Sequence, residues 1–272
     1  MTSSFSRIAV LATPLLLVAC AVGQRQTTAQ AVVRTPDGPS LDVATSTPAA
    51  DRADLQAWID TVREVYRSQA FATNLRSLAS DYGEVWLSPN LRYLSVAALA
   101  DALTGTDASF RYVPASVTLR GDADDNFASA GYAGLASDRR TGLASMTLGR
   151  LHLGRYRSSD VVERSCAVNT MAHEASHTLT NTRPAFIHAV EDTGNGAAPA
   201  GSTAPLASYL IGATAQCTYL QQQGRVPADG LKACIAVFGT NNYNSNRCSQ
   251  FGNDEPVEER DGLAAPANPI NA

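Results

Sequence analysis

Helix-period and strand-period segments that follow one another without a βαβ rhythm predict an α+β fold for this chain of 272 residues. Composition agrees with a folded core, since 44% of the residues are hydrophobic and 17% charged, an ordinary globular balance. Residues 21–50 and 253–272 show no apolar period and are rich in small and polar residues, so the expected domain is 51–252. That leaves about 200 residues for a single core.

The elements follow in order. Residues 51–80 predict a helix, because Leu55, Trp58, Ile59, Val62, Val65 and Tyr66 recur at spacings of three and four. Residues 82–87 make a short strand, and Asn90 caps a helix that runs to Leu103 and ends at Gly105. Residues 110–120 alternate like a strand that Pro114 confines to an edge or a bulge. Residues 142–156 are a further extended segment, with Leu151 and Leu153 on one face and His152 on the other. A helix over 160–180 is capped by Asp160 with Glu163 three residues on, and Pro184 marks its stop. Residues 204–223 form another helix, with Leu206, Leu210, Ala213 and Cys217 on one stripe.

The N-terminus reads as an address. Arg7 precedes an apolar run from Ile8 to Ala19, too short to span a bilayer and of signal-peptide length. Leu17-Val18-Ala19-Cys20 resembles the bacterial lipobox. The resemblance implies that residues 1–19 are removed and that Cys20 is lipidated as the first mature residue. Residues 20–50 would then be a flexible tether and 253–272 a disordered tail. Ala21 stands where an aspartate would signal inner-membrane retention, so the expected location is the outer membrane, facing the periplasm. The net charge is −4 and no basic block occurs, which argues against a nucleic-acid partner.

Chemistry concentrates on one turn of the 160–180 helix, where His173-Glu174-Ala175-Ser176-His177 spells HExxH. Four residues advance a helix by slightly more than one turn, so both imidazoles project from one side and can grip one ion. Glu174 hangs beside them, able to reach a water without ligating the metal. Val168, Ala172, Ala175 and Leu179 follow the opposite, apolar face. Two of the four histidines in the chain stand on this single turn.

Residues 146–181 resemble the core of a zincin metallopeptidase, in which an edge strand leads into the zinc helix. The resemblance implies one Zn2+ ion, a peptide or protein substrate, and hydrolysis through a zinc-held water with Glu174 as general base. It also implies a small mixed sheet over the zinc helix, with the 146–156 segment pairing with substrate as its edge strand. A catalytic zinc needs a third protein ligand. Thr178–Arg183 lack the glycine and third histidine of metzincins, and Gln216 stands on the later helix where gluzincins place a glutamate. Asp192 and His188 would share a face of an extended 184–194 segment and stand nearly level as third ligand, with Glu191 behind. An aspartate there is similar to the aspzincin arrangement, although its Gly-Thr-x-Asp signature is missing. Tyr209, Tyr219 and Arg183 are candidates to steady an oxyanion.

Cys166, Cys217, Cys234 and Cys248 lack the CxxC spacing of a cysteine zinc site, and an even number in an exported chain predicts two disulfides. The pairing expected is Cys166–Cys217 with Cys234–Cys248, which would brace the zinc helix in a helical C-terminal part. Two functions remain open. One is a membrane-anchored zinc metallopeptidase acting outside the cytoplasm; the other is a non-catalytic, metal-binding envelope lipoprotein that kept the fold.

Overall fold

The structure, a computed structural model, describes residues 38–132, 144–181, 187–192 and 203–238. The signal segment 1–19, Cys20, most of the expected tether, Arg183, Cys248 and the tail 253–272 lie outside the described residues, as does the side chain of His188. The described chain starts before residue 50, because Leu41–Val43 already forms strand β1 with Leu41 buried. The expected tether is therefore too long at its C-terminal end. One leucine with a parallel strand beside it is enough to hold a segment whose composition alone reads as loose.

Helix α1 (Ala49–Arg67) buries the stripe Leu55, Trp58, Ile59, Val62, Val65 and Tyr66. The single helix expected over 51–80 breaks at Ser68, whose φ/ψ of −71/139° is extended. Its Oγ accepts from Phe71 N at 3.1 Å and restarts the chain as α2 (Gln69–Ser77), followed by α3 (Ala79–Tyr82). Strand β2 (Glu84–Ser88) then pairs antiparallel with β3 (Arg92–Ser95). The helix expected from Asn90 thus begins later, as α4 (Val96–Leu103), with Ser95 as the cap that accepts from Ala98 N at 3.2 Å. Pro114 lies between β4 (Phe110–Tyr112) and β5 (Ala115–Arg120) and divides what was expected to be one strand. Without an N–H, proline marks the place where the chain passes from one sheet to another.

Strands β6 (Ala128–Tyr132) and β7 (Ala144–Gly149) complete the main sheet, whose order is β1-β5-β7-β6. Its first three members run parallel and β6 closes the edge antiparallel to β7. The extended segment expected over 142–156, with 146–156 as the edge strand, is corrected on two counts. Its first part, β7, is an inner strand, and its second part is helix α5 (Arg150–Arg157). Two leucines two residues apart match a strand face, but a single repeat is too short to establish a period. The helix is fixed by Arg150 and Arg157, two turns apart, which both reach the Asp51 carboxylate of α1 at 2.6 and 3.0 Å. His152 is accordingly buried rather than displayed on a strand face, with Nε2 2.9 Å from the Asn126 carbonyl oxygen.

Helix α6 (Val161–Ser176) is buried along most of its length. Asp160 caps it, accepting from Val162 N at 2.8 Å, while Glu163 pairs with Arg155 at 3.5 Å instead of reaching back to the cap. Trp58 Nε1 donates to Ala167 O at 3.1 Å and Tyr66 O–H to Ala172 O at 2.8 Å, so α1 is tied to the backbone of α6. The helix stops four residues short of the expected end. Ser176 and Thr178 hydroxyls donate to the carbonyls of His173 and Ala175 at 2.6 and 2.7 Å, satisfying acceptors of the last turn. Strand β8 (Leu179–Asn181) follows at once, between β4 and β9 (Ile187–His188) in a separate three-stranded sheet.

Helix α7 (Ala207–Gln222) lies against α6 at a close approach made possible by Gly212. A Cβ added there would sit 2.4 Å from Asn169 Oδ1 and 3.2 Å from His173 Cβ. Helix α8 (Leu231–Phe238) is joined to α7 by the disulfide Cys217–Cys234. This overturns both expected pairs, Cys166–Cys217 and Cys234–Cys248. Cys217 faces α8, and it is its neighbour Gln216 that turns to α6, where Nε2 lies 3.5 Å from Cys166 Sγ. Cys166 is itself disulfide-bonded. No helix among the described residues is long and apolar enough to cross a membrane. The α+β class, the small mixed sheet and a disulfide-braced helical C-terminal part are all present.

Candidate metal centre

His173 occupies the last turn of α6, and His177 is the residue that closes it, still in helical conformation at φ −66° and ψ −16°. The two rings face each other edge-on, 5.1 Å between centroids, and their Nε2 atoms are 3.4 Å apart. The strand pair β8–β9 then brings the chain back across this turn. Ala189 N donates to Leu179 O at 2.9 Å and Glu191 N to Leu87 O at 2.7 Å, which holds 189–191 between β8 and β2. This places Val190 O 3.0 Å from His177 Nδ1 and sets the Asp192 carboxylate over both imidazoles. Asp192 Oδ2 lies 3.1 Å from His173 Nε2 and 3.4 Å from His177 Nε2.

These three atoms lie close enough to one another to hold one metal ion. Tetrahedral zinc with bonds of about 2.0–2.2 Å requires its ligand atoms to stand roughly 3.3–3.6 Å apart, close to the separations seen here. The donor set also suits the ion, as two imidazole nitrogens and one carboxylate oxygen are ordinary zinc ligands. A carbonyl can only accept, so His177 Nδ1 carries the proton toward Val190 and Nε2 is left to point at Asp192. His173 Nδ1 is buried with no hydrogen-bond partner among the described residues. Its ring is held instead by Tyr209, packed edge-on at 4.6 Å.

The electrostatics express the same convergence. Burial alone would lower the His177 imidazole, but the Asp192 hydrogen bond and the Glu174 and Asp192 charges outweigh it and push the group up to about 9. Burial would raise Asp192, yet hydrogen bonds from His173 and His177 hold its carboxyl well below the usual carboxylate range. A proton thus occupies this cluster when no ion does, and a metal must displace it.

Glu174 is 5% exposed, and its Oε1 stands 4.0 Å from His173 Nε2. It opens with His177 and Asp192 onto a cleft of about 330 Å³, whose other walls are Ala128 and Ser129 of β6 and Val190 and Glu191. Burial pushes the Glu191 carboxyl up, against the pull of His177. The edge of the main sheet that meets the cleft is therefore β6, not the segment after Met146.

The predicted residues divide accordingly. His173, His177 and Asp192 come together, with Glu174 beside them. His188 pairs by its backbone with Thr180 in β9, and Glu191 lines the cleft without joining the trio. Tyr209 abuts the site, whereas Tyr219, ten residues along α7 and about 15 Å further on, is buried away from it. Gln216 holds Asn169 and Ser165 and contributes no ligand. Sequence reasoning missed Ser208, whose Oγ donates to Asp192 Oδ1, and the Val190 carbonyl; neither residue type signals such a role at its position. No family model, curated protein or solved structure matches this chain.

Proposed function

We propose that this protein is a zinc-dependent metallopeptidase of zincin type, anchored to the cell envelope through Cys20 and acting on peptide bonds outside the cytoplasm. The observation that carries the reading is the convergence of His173 Nε2, His177 Nε2 and Asp192 Oδ2 at 3.1–3.4 Å, with the Glu174 carboxylate alongside and open to a cleft. A zinc ion held by these three residues supplies Lewis acidity, polarising a carbonyl and acidifying water.

The chain's own groups do the rest. Glu174 accepts a proton from the attacking water and returns it to the departing amine, for which its place one residue after His173 suits it. Glu174 is 5% exposed, so the proton in transit is kept from bulk solvent. Ala128 and Ser129 of the antiparallel edge strand give an extended peptide a place to pair along the cleft.

The test is Glu174→Gln assayed with peptide substrates and a zinc determination on the same preparation. Hydrolysis by the wild type, lost in the variant while zinc is retained, supports the peptidase. Retained zinc with no turnover by the wild type on any peptide favours the non-catalytic lipoprotein. The anchor is tested separately: Cys20→Ser should abolish lipid labelling and leave the precursor uncleaved, and a wild type that partitions to the aqueous phase of a detergent extraction refutes it.

A further inference from the structure

Asp192 arrives on a loop, yet only one of its two oxygens faces the histidines. Oδ2 stands 3.1 and 3.4 Å from the two Nε2 atoms, while Oδ1 is taken by the Ser208 hydroxyl. Ser208 is fully buried in the first turn of α7, the helix that also presses Tyr209 against the His173 ring. The same turn is tied to the strand that holds the Asp192 loop, because Trp86 N donates to Pro205 O at 2.8 Å and Leu87 O accepts from Glu191 N at 2.7 Å. Strand β2 thus fixes Asp192 and Ser208 relative to each other.

From this arrangement we propose that Ser208 is a positioning residue that makes Asp192 a one-oxygen ligand, an inference that rests on the metal-site reading above. A carboxylate free to turn about its two side-chain torsions can chelate an ion with both oxygens or swing away. A donor on Oδ1 removes both alternatives before the ion arrives. It also leaves one position of a four-coordinate site open for water and substrate. The cost of ordering the side chain falls on folding rather than on binding, so the loss on removing the hydroxyl appears as metal affinity.

The experiment measures zinc affinity by chelator competition, and the visible spectrum of the cobalt-substituted protein, for wild type, Ser208→Ala and Ser208→Thr. Ser208→Ala should bind zinc about 10–100-fold more weakly, the usual range for losing a hydrogen bond behind a ligand. Its cobalt bands should weaken as Oδ1 joins the coordination sphere, and Ser208→Thr, which keeps the hydroxyl, should restore both. If Ser208→Ala does not fold, Ser208→Cys keeps the size with a weaker donor and carries the same expectation. Affinity within about twofold of wild type and an unchanged cobalt spectrum overturn the inference, as does an equal loss in the threonine variant. A wild type that binds neither zinc nor cobalt overturns the metal site itself, a result distinguishable from both.

Discussion

Ser165, Asn169 and Thr170 of α6 are as deeply buried as His173, Glu174 and His177 at its C-terminal end, but their polar atoms are arranged differently. In the first group each donor meets an acceptor. Asn169 Nδ2 donates to Gln216 Oε1 at 2.6 Å, Gln216 Nε2 to Ser165 Oγ at 3.0 Å, and Ser165 Oγ to Val162 O at 2.7 Å. Thr170 Oγ1 donates to Cys166 O at 3.2 Å. In the second group two ring nitrogens and a carboxylate oxygen, all able to accept, crowd within 3.4 Å of one another. A closed chain of donors and acceptors is complete in itself. A knot of acceptors is not, and needs a proton or a cation at its centre. The stretch through Thr170 is internally satisfied, whereas the turn from His173 has the geometry to hold a metal ion.

The largest effect should come from opening the knot. His173→Ala, His177→Ala or Asp192→Ala leaves two ligands, and each should weaken zinc by more than the roughly 100-fold upper range of a supporting hydrogen bond. Zinc titration with a chelator competitor checks this, and any one variant with wild-type affinity places the third ligand elsewhere. Asp192→Ala also takes the acceptor from the buried Ser208 hydroxyl, and His177→Ala the donor from Val190 O, so those two variants should lose some stability as well as zinc.

How much of this was legible follows from distance along the chain. His173, Glu174 and His177 lie within one turn, so their chemistry can be read off five letters. Asp192 is one of two residues on a shared face, and it is the β8–β9 return that carries it over the histidines. Ser208 reaches the site from another helix and carries no signature. The α1 stripe is readable because six residues repeat one period, whereas Leu151 and Leu153 repeat nothing and match the spacing of a strand although they lie in α5. Strand β6 contains Ala, Ser and Gly but no β-branched residue, so its role as the edge at the cleft came only from its pairing.

Gly212 touches both halves at once and sharpens the comparison. Gly212→Ala puts a methyl 2.4 Å from Asn169 Oδ1 and 3.2 Å from His173 Cβ, so the helices must part. The expected loss is about 1–3 kcal/mol of stability, as for other overpacked cores, with a fall in zinc affinity beside it. Chemical denaturation and chelator competition on one preparation would show both; an effect on stability alone would mean the two halves are mechanically separate. Gln216→Ala should then act on the first half only. It strands the buried Asn169 amide, costing about 1–3 kcal/mol, while Ser165 keeps its bond to Val162 O and zinc affinity stays near wild type.

The smallest effect expected is a difference in the sign of pH dependence at the two ends, seen in metal-free protein. Thr170 Oγ1 lies 3.4 Å from His152 Nδ1, so this histidine belongs with the closed half. Burial lowers it, and the Arg155 charge adds to that, against the Asn126 carbonyl and Asp125, so its folded value lies below the ordinary 6.5. The unfolded chain then binds the extra proton, and stability falls as pH drops below about 6.5. His177 is raised to about 9, so its contribution is complete below 6.5 and is lost as pH rises toward 9. The two limbs leave a maximum near neutral pH. His152→Asn should flatten the acid limb and His177→Ala the alkaline one, measured as melting temperature against pH in the presence of a chelator. Saturating zinc should abolish the alkaline limb alone, because the ion takes the place of the His177 proton and leaves His152 untouched. If zinc flattens both limbs, His152 is coupled to the site through Thr170 and the division of α6 into a closed half and an open half fails.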